Sequence, residues 1–322
     1  MTSFIIRRLL LALLTLLLVS LAVFFVMRLL PGDPLLIYMA QTMQFDAMPL
    51  EALEELRREF GLDKPIMVQY FHWISDIFRG DFGTSIFYRE KVGNLMLERF
   101  PVTLHLGLLA LMCTVFIGLT VGLIAAVRRG SWPDRVLTPL TYLGVTVPVF
   151  WLGILLIYLF GLKLHWLPIA GYTSPFEDFW LSTRQAIMPV ICLSVFGLAS
   201  NARQMRSSML EVIHQDYIRT AWAKGLSESR IILKHALKNS LIPVITLMGM
   251  GVSMVFGGSV IVETVFAIPG IGRLLVSSIF DQDYVVVQAI AFVIASIVLV
   301  VNLFVDISYA WLNPKIRYGR RV

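Results

Sequence analysis

Six stretches of this chain contain no Asp, Glu, Lys or Arg: Leu9–Met27, Pro101–Val127, Val136–Leu162, Gln185–Ala202, Asn239–Val262 and Tyr284–Val305. A spanning helix needs about 20 predominantly apolar residues, because it rises about 1.5 Å per residue through a hydrocarbon core about 30 Å thick. Each stretch comes close to that length or exceeds it. The chain therefore reads as an all-α polytopic membrane protein with six transmembrane helices. Its composition agrees, with 57% hydrophobic and 15% charged residues, far from the balance of a soluble domain.

Arg7 and Arg8 precede the first stretch and no small-x-small cleavage site follows it, so it reads as a retained helix, not a secretory signal. The Leu30-Pro31-Gly32-Asp33-Pro34 run then ends it. Lys and Arg collect on one side. Arg7 and Arg8, Arg128, Arg129 and Arg135, the cations from Arg203 to Lys238, and Lys315, Arg317, Arg320 and Arg321 all fall there, whereas the short opposite loops hold only Lys163, Arg184 and Arg273. That bias places both termini in the cytoplasm. It also accounts for the net charge of +6 without nucleic acid, which is excluded as a partner. Cys113 and Cys192 lie within spans, where they read as core side chains, not a disulfide or zinc site.

Three regions follow: a transmembrane helix over 1–30, an external segment with short helices over 31–100, and a five-helix core over 101–322 that includes a cytoplasmic segment at 203–238. In the external segment Glu51–Phe60 reads as a charged helix closed by Gly61. Met67–Phe78 carries Tyr70, Phe71, Trp73 and Phe78 at spacings suited to a membrane interface. Pro139, Pro148 and Pro189 lie inside or at the edges of spans, where proline commonly bends a helix. Gly249, Ser253 and Gly257 recur at four-residue spacing and predict a helix-packing face on the fifth span. Glu263–Arg273 reads as an outer loop whose Pro269-Gly270 pair suits a type II turn.

Ionisable groups inside the membrane are few, His105 and Asp306, and a proton relay needs a chain of them. The sequence has no Gly-x-Ser-x-Gly, no His-Glu-x-x-His, no Rossmann glycine pattern and no phosphate loop. No catalytic, cofactor-binding or metal site is expected in this chain.

The inner segment carries the most complete local pattern. Leu210, Ile213, Tyr217 and Ala221 recur at three- and four-residue spacing, which aligns them on one helix face. Lys224 suits a helix C-terminus, Gly225 a left-handed cap, and Ser227 the N-cap of a second helix near Glu228. The segment reads helix, sharp turn, helix. From pattern alone it is either an amphipathic hairpin on the lipid headgroups or a docking site for another protein.

The run from Tyr217 to Ser227, followed by His235-Ala236-Leu237-Lys238-Asn239 and Pro243, resembles the cytoplasmic signature of permease subunits of ABC importers of the dipeptide, oligopeptide and nickel class. The likeness extends through Phe4–Leu9, Leu30–Pro34, Gly61–Pro65, Gly80–Ser85, Glu263–Gly272 and Asn313–Arg317. The broader importer signature has Glu-Ala-Ala where this chain has Arg219-Thr220-Ala221, and proline where it has Lys238; Gly225 is retained.

The resemblance implies a coupling helix that docks on an ATPase through Tyr217, Ile218, Arg219, Thr220, Ala221, Lys224, Gly225, Leu226 and Ser227. It further implies alternating access in a bacterial inner (cytoplasmic) membrane. Its partners would be a second homologous permease subunit, two cytoplasmic ATPase subunits, an external solute-binding protein and membrane lipid. ATP and Mg would be bound by the ATPases. The expected cargo is peptide; a nickel or metal-chelate permease of the same class is the alternative, and an ATPase-independent channel is the rival from another class.

Overall fold

The computed structural model describes residues 2–29, 54, 57–58 and 63–312. The Leu30–Pro34 break, nearly all of the Glu51–Phe60 helix, the Asn313–Arg317 run, and the side chains of Ser253 and Asp306 lie outside what is described. One isolated antiparallel bridge apart, Thr84 to Lys91, the regular structure of the described residues is helical.

Helix α1 runs Thr2–Leu29, α2 Ile66–Phe78, α3 Val92–Val127, α4 Trp132–Thr146 and α5 Val149–Leu156, the last widening into a π-helical stretch at Ile157–Lys163. Then follow α6 Phe179–Ile213, α7 Asp216–Ala223, α8 Leu237–Val265, α9 Ile271–Phe280 and α10 Tyr284–Leu312. Ile6–Arg28, α3, α6 and Tyr284–Phe304 are each long and apolar enough to cross a membrane. Helix α8, 29 residues long, occupies the stretch expected as the fifth span.

The expected third span differs: α4 and α5 meet at 108°. Pro148 cannot donate a backbone hydrogen bond, and its ring drives Val147 out of the helical region (φ −70°, ψ 123°). Helix α4 therefore stops at Thr146, and α5 restarts with Pro148 as its N-cap. Pro139 and Pro189 sit within unbroken helices.

The chain forms two compact units, one over Thr103–Ile268 with the segment from Val301, the other over Thr2–Val102 with Pro269–Val300. In the first, α6 packs against α3, α4 and α8. Gly118 and Gly122 of α3 lie directly on α6: a Cβ at Gly118 would stand 3.0 Å from the Leu198 carbonyl oxygen. A Cβ at Gly122 would press into the Ala202 carbonyl oxygen and stand 2.7 Å from Met205 Cβ. Gly122→Ala is therefore expected to cost about 1–3 kcal/mol, the usual penalty of overpacking against atoms that cannot retreat. Gly251→Ala, whose added carbon would meet Leu111 Cδ2 at 4.0 Å and no other described atom within that distance, is the matched control. Thermal unfolding of the two purified variants tests the contrast, and equal midpoints would refute it.

In the second unit, Phe24 of α1 packs edge-on against Tyr70 at 5.3 Å, Trp73 packs edge-on against Phe292 at 5.8 Å, and Ser20 Oγ and Tyr70 OH share a hydrogen bond of 2.9 Å. The aromatics of α2 thus divide. Tyr70 is buried, whereas Phe71 and Phe78 are exposed. Val92, Leu95 and Met96 join Ile271, Leu274, Val286, Ala289 and Ile290 in one apolar cluster. The Gly80–Ser85 run forms a tight loop in which Asp81 Oδ1 accepts from the Gly83 N–H at 2.9 Å. Buried Asp283 holds that loop, accepting from Ser85 Oγ at 2.5 Å and from the Phe87 N–H at 3.1 Å.

Two loop expectations are corrected. Glu263 is not in a loop but in the last turn of α8, buried, where it accepts from Thr103 Oγ1 at 2.6 Å. Gly270 has φ −100° and ψ −179°, which a type II turn does not allow at that position. It serves instead as the N-cap residue of α9, its carbonyl accepting from the Leu274 N–H at 3.1 Å.

Candidate docking helix and its support

Helix α6 ends at His214, where φ −89° and ψ 0° leave the helical region. The chain re-enters a helix one residue later, with Gln215 extended and its carbonyl accepting from the Ile218 and Arg219 N–H groups at 3.0 and 3.3 Å. This break resets the helical phase. Ile218 is fully buried and Ala221 nearly so, while Tyr217 and Trp222 remain about half exposed, at 44% and 49%. The face expected from Leu210, Ile213, Tyr217 and Ala221 is therefore not formed: the buried pair of α7 is Ile218 and Ala221.

That pair packs with Met205, Met209, Ile231, Ala236, Val244 and Ala126 in a single cluster. Burying an isoleucine side chain contributes about 1.5–3 kcal/mol, enough to root a helix of 8 residues that would not persist alone. Asn239 Nδ2 donates to Tyr217 OH at 2.8 Å and adds a polar tie to the start of α8. The Arg219–Asp216 pair, 3.6 Å apart and largely exposed, adds little.

The C-terminus of α7 has the form expected of Gly225. The Gly225 N–H donates to Trp222 O at 2.9 Å and the Leu226 N–H to Ala221 O at 3.4 Å. These are the two crossed bonds of a Schellman cap. Gly225 takes φ +70°, and no atom lies within 4 Å of where its Cβ would be. Leu226 folds back on the cluster that holds Ala221. Ser227 precedes the next helical turn, Glu228–Arg230, but its side chain does not cap it; its backbone carbonyl accepts from Arg230 and Ile231 instead. A π-helical stretch over Ile231–Ala236 then leads into α8.

Of the residues expected to dock a partner, Tyr217, Arg219, Thr220, Lys224, Gly225 and Ser227 are exposed. Ile218 and Ala221 are corrected: they are buried in the apolar cluster and form the root of the helix. Leu226 is half-buried. Trp222, about half exposed, was not among the expected residues, although its place in the Ala-Trp-Ala run marks it. The expected packing stripe on α8 also divides. Gly249 is buried, but Gly257 is exposed with nothing within 4 Å of its added Cβ.

Sequence reasoning missed what braces this platform. Asp134, in the first turn of α4, accepts from Arg206 Nε at 2.8 Å and Arg206 Nη2 at 3.0 Å, from the Gly130 N–H at 2.9 Å and from Thr138 Oγ1 at 2.8 Å. Arg206 lies two turns before the end of α6, so this pair fixes the α3–α4 turn and α4 to the helix that carries α7. The only available signal was an acidic residue in an otherwise basic loop. Above the pair, a cavity of about 700 Å³ opens between α3, α4, α6 and α8, lined by Thr114, Thr141, Tyr142, Asn201, Arg203 and Gly251 among others. His105 Nδ1 lies 3.0 Å from Tyr172 OH.

Comparison with known proteins places this architecture. Residues 118–318 match the family described as binding-protein-dependent transport system inner membrane component, and residues 1–107 its N-terminal companion family. A protein of Sinorhizobium fredii named probable peptide ABC transporter permease is 39% identical over 318 residues, covering 99% of this chain and all of that one. The glutathione transport system permease GsiC of Salmonella choleraesuis is 40% identical over 318 residues with the same coverage. A chain of the MetNI methionine ABC transporter, solved in an inward-facing conformation, shares the fold with a TM-score of 0.53 at 18% identity, over 68% of this chain and 96% of that one. The chain belongs to the binding-protein-dependent transport system inner membrane component family and is a membrane permease subunit of an ABC importer.

Proposed function

We propose that this permease carries peptides across the bacterial inner membrane by alternating access, driven through α7 by cytoplasmic ATPases. The observation that carries this reading is the build of α7. A short helix rooted by Ile218 and Ala221 and closed by a left-handed turn at Gly225 leaves Tyr217, Arg219, Thr220, Trp222 and Lys224 exposed. A rigid knob with exposed aromatic and cationic side chains suits a groove on a partner; a hairpin resting on lipid would turn its apolar residues outward instead. The cargo is proposed from the relatives, which are named for peptide and glutathione transport.

The working assembly in this proposal has a second, similar permease subunit, two ATPases that bind ATP and Mg, and a solute-binding protein at the outer face. Both termini and segment 203–238 lie in the cytoplasm, and segment 31–100 lies outside. Copurification from native membranes is expected to bring down two ATPase chains and a second permease. Cysteine at Trp222 or Lys224 is expected to cross-link to an ATPase, whereas cysteine at Ile218 is not. A chain that purifies alone, or equal cross-linking at all three positions, would overturn the docking role. Mass spectrometry of the ligand held by the cognate solute-binding protein separates peptide from nickel chelate.

A further inference from the structure

Among the described residues of the second unit, Arg28 Nη1, Trp73 Nε1 and Gln288 Nε2 are buried nitrogens without a hydrogen-bond partner. All three residues line one cavity of about 420 Å³, together with Lys64 and His72. Gln288 is only 3% exposed. A buried donor without an acceptor costs about 1–3 kcal/mol, and more when it is charged, so three around a single cavity mark a place built for an acceptor.

Their neighbours hold these donors in position. Arg28 Nε donates to Gln69 Oε1 at 2.9 Å, Gln69 Nε2 donates to the Lys64 carbonyl at 2.7 Å, and the guanidinium lies 3.9 Å above the Phe24 ring centroid. Nη1 is left for another acceptor. The ring of Trp73 is fixed between Phe24 and Phe292. Two carboxylates also lie on the cavity wall. Asp76 lies 3.9 Å from Arg79 Nη1, and Asp81 accepts from the Gly83 N–H.

The depth of the cavity identifies the ligand. Arg28 closes the apolar span Ile6–Arg28, and Gln288 lies one turn into the span Tyr284–Phe304. Helix α2 exposes Ile66, Met67, Phe71 and Phe78 beside it, and α1 exposes a run of leucines at Leu10, Leu13, Leu14, Leu17 and Leu18. The donors therefore converge at headgroup level, with apolar surface leading away toward the hydrocarbon. We propose that this cavity binds the phosphate of an anionic glycerophospholipid, with Arg28, Trp73 and Gln288 donating to its oxygens and the acyl chains lying along α1. Nothing in this site depends on which solute the transporter carries.

Native mass spectrometry of the full chain in detergent tests it. One dioleoylphosphatidylglycerol per chain is expected to be retained at a concentration about tenfold or more below that needed for dioleoylglycerol, which has the same chains without phosphate, as hydrogen bonds to a charged group imply. Trp73→Phe combined with Gln288→Leu is expected to remove most of this preference while leaving the lipid-free thermal midpoint unchanged or higher, because two unsatisfied donors are gone. Arg28→Lys, which keeps the charge and loses the fork, is expected to weaken the preference in the same way and serves in place of the double variant should that one fold poorly. Equal retention of the two lipids, or variants that keep the preference, would overturn the proposal. Displacement of the lipid by inorganic phosphate or by a dipeptide would assign the cavity to a soluble anion and overturn it as well.

Discussion

Asp134→Ala is expected to cost about 3 kcal/mol of stability, near the lower end of the range for breaking a buried ion pair by removing one partner. Asp134 has a side chain only 9% exposed and receives four hydrogen bonds, two of them from one guanidinium. Arg206 would be left without its carboxylate; because its side chain is 28% exposed, water relieves part of that cost, which is why the lower figure is chosen. The Gly130 N–H and the Thr138 hydroxyl lose their acceptor at the same time. Arg206→Ala should cost less, since Asp134 keeps those two donors. A double-mutant cycle on purified protein is expected to give a coupling of about 1 kcal/mol or more between the two positions, and strict additivity would show the pair to be incidental. Transport should fall by more than stability alone dictates, because the same contact ties α4 to α6 two turns above the docking helix.

That contact also shows where the sequence stops being informative. The spans were legible because a bilayer imposes length and apolarity on each segment separately, so Leu9–Met27 or Tyr284–Val305 needs no knowledge of its neighbours. The Gly225 turn was legible for a similar reason: cation, glycine and serine close together form a local pattern. Asp134 and Arg206 are 72 positions apart, and each alone is one more charge at a membrane edge. Pro139, Pro148 and Pro189 look alike as letters, yet only Pro148 breaks a span. Periodicity carried from Ile213 to Tyr217 gives α7 the wrong phase, because it crosses a break at His214 that no glycine or proline announces. Likewise Gly118 and Gly122 have a four-residue spacing, as do Gly249, Ser253 and Gly257. Spacing identifies a bare face, but only the packed structure says which bare face is covered.

Gly225→Pro is expected to abolish uptake, by tenfold or more, while the chain still inserts and the assembly still hydrolyses ATP. Proline fixes φ near −65° and has no N–H, whereas this position takes φ +70° and donates to Trp222 O. The Schellman cap cannot form. The outward face of α7 would then lose its fixed angle to the bundle, although Ile218 and Ala221 can still root it. Within this chain nothing lies within 4 Å of an added Cβ, so the series varies the backbone conformation and, in the proline variant, the N–H donor as well. Gly225→Asn should transport nearly as well as the parent, since asparagine tolerates the left-handed region. Gly225→Ala pays about 1–2 kcal/mol for it and should transport less. Uptake measured in proteoliposomes holding the whole complex should therefore fall in the order Gly, Asn, Ala, Pro, with ATP hydrolysis persisting throughout. Normal uptake by the proline variant would mean that the turn does not transmit force; a parallel loss of hydrolysis and uptake would mean that it holds the ATPase in place and does not convert its motion.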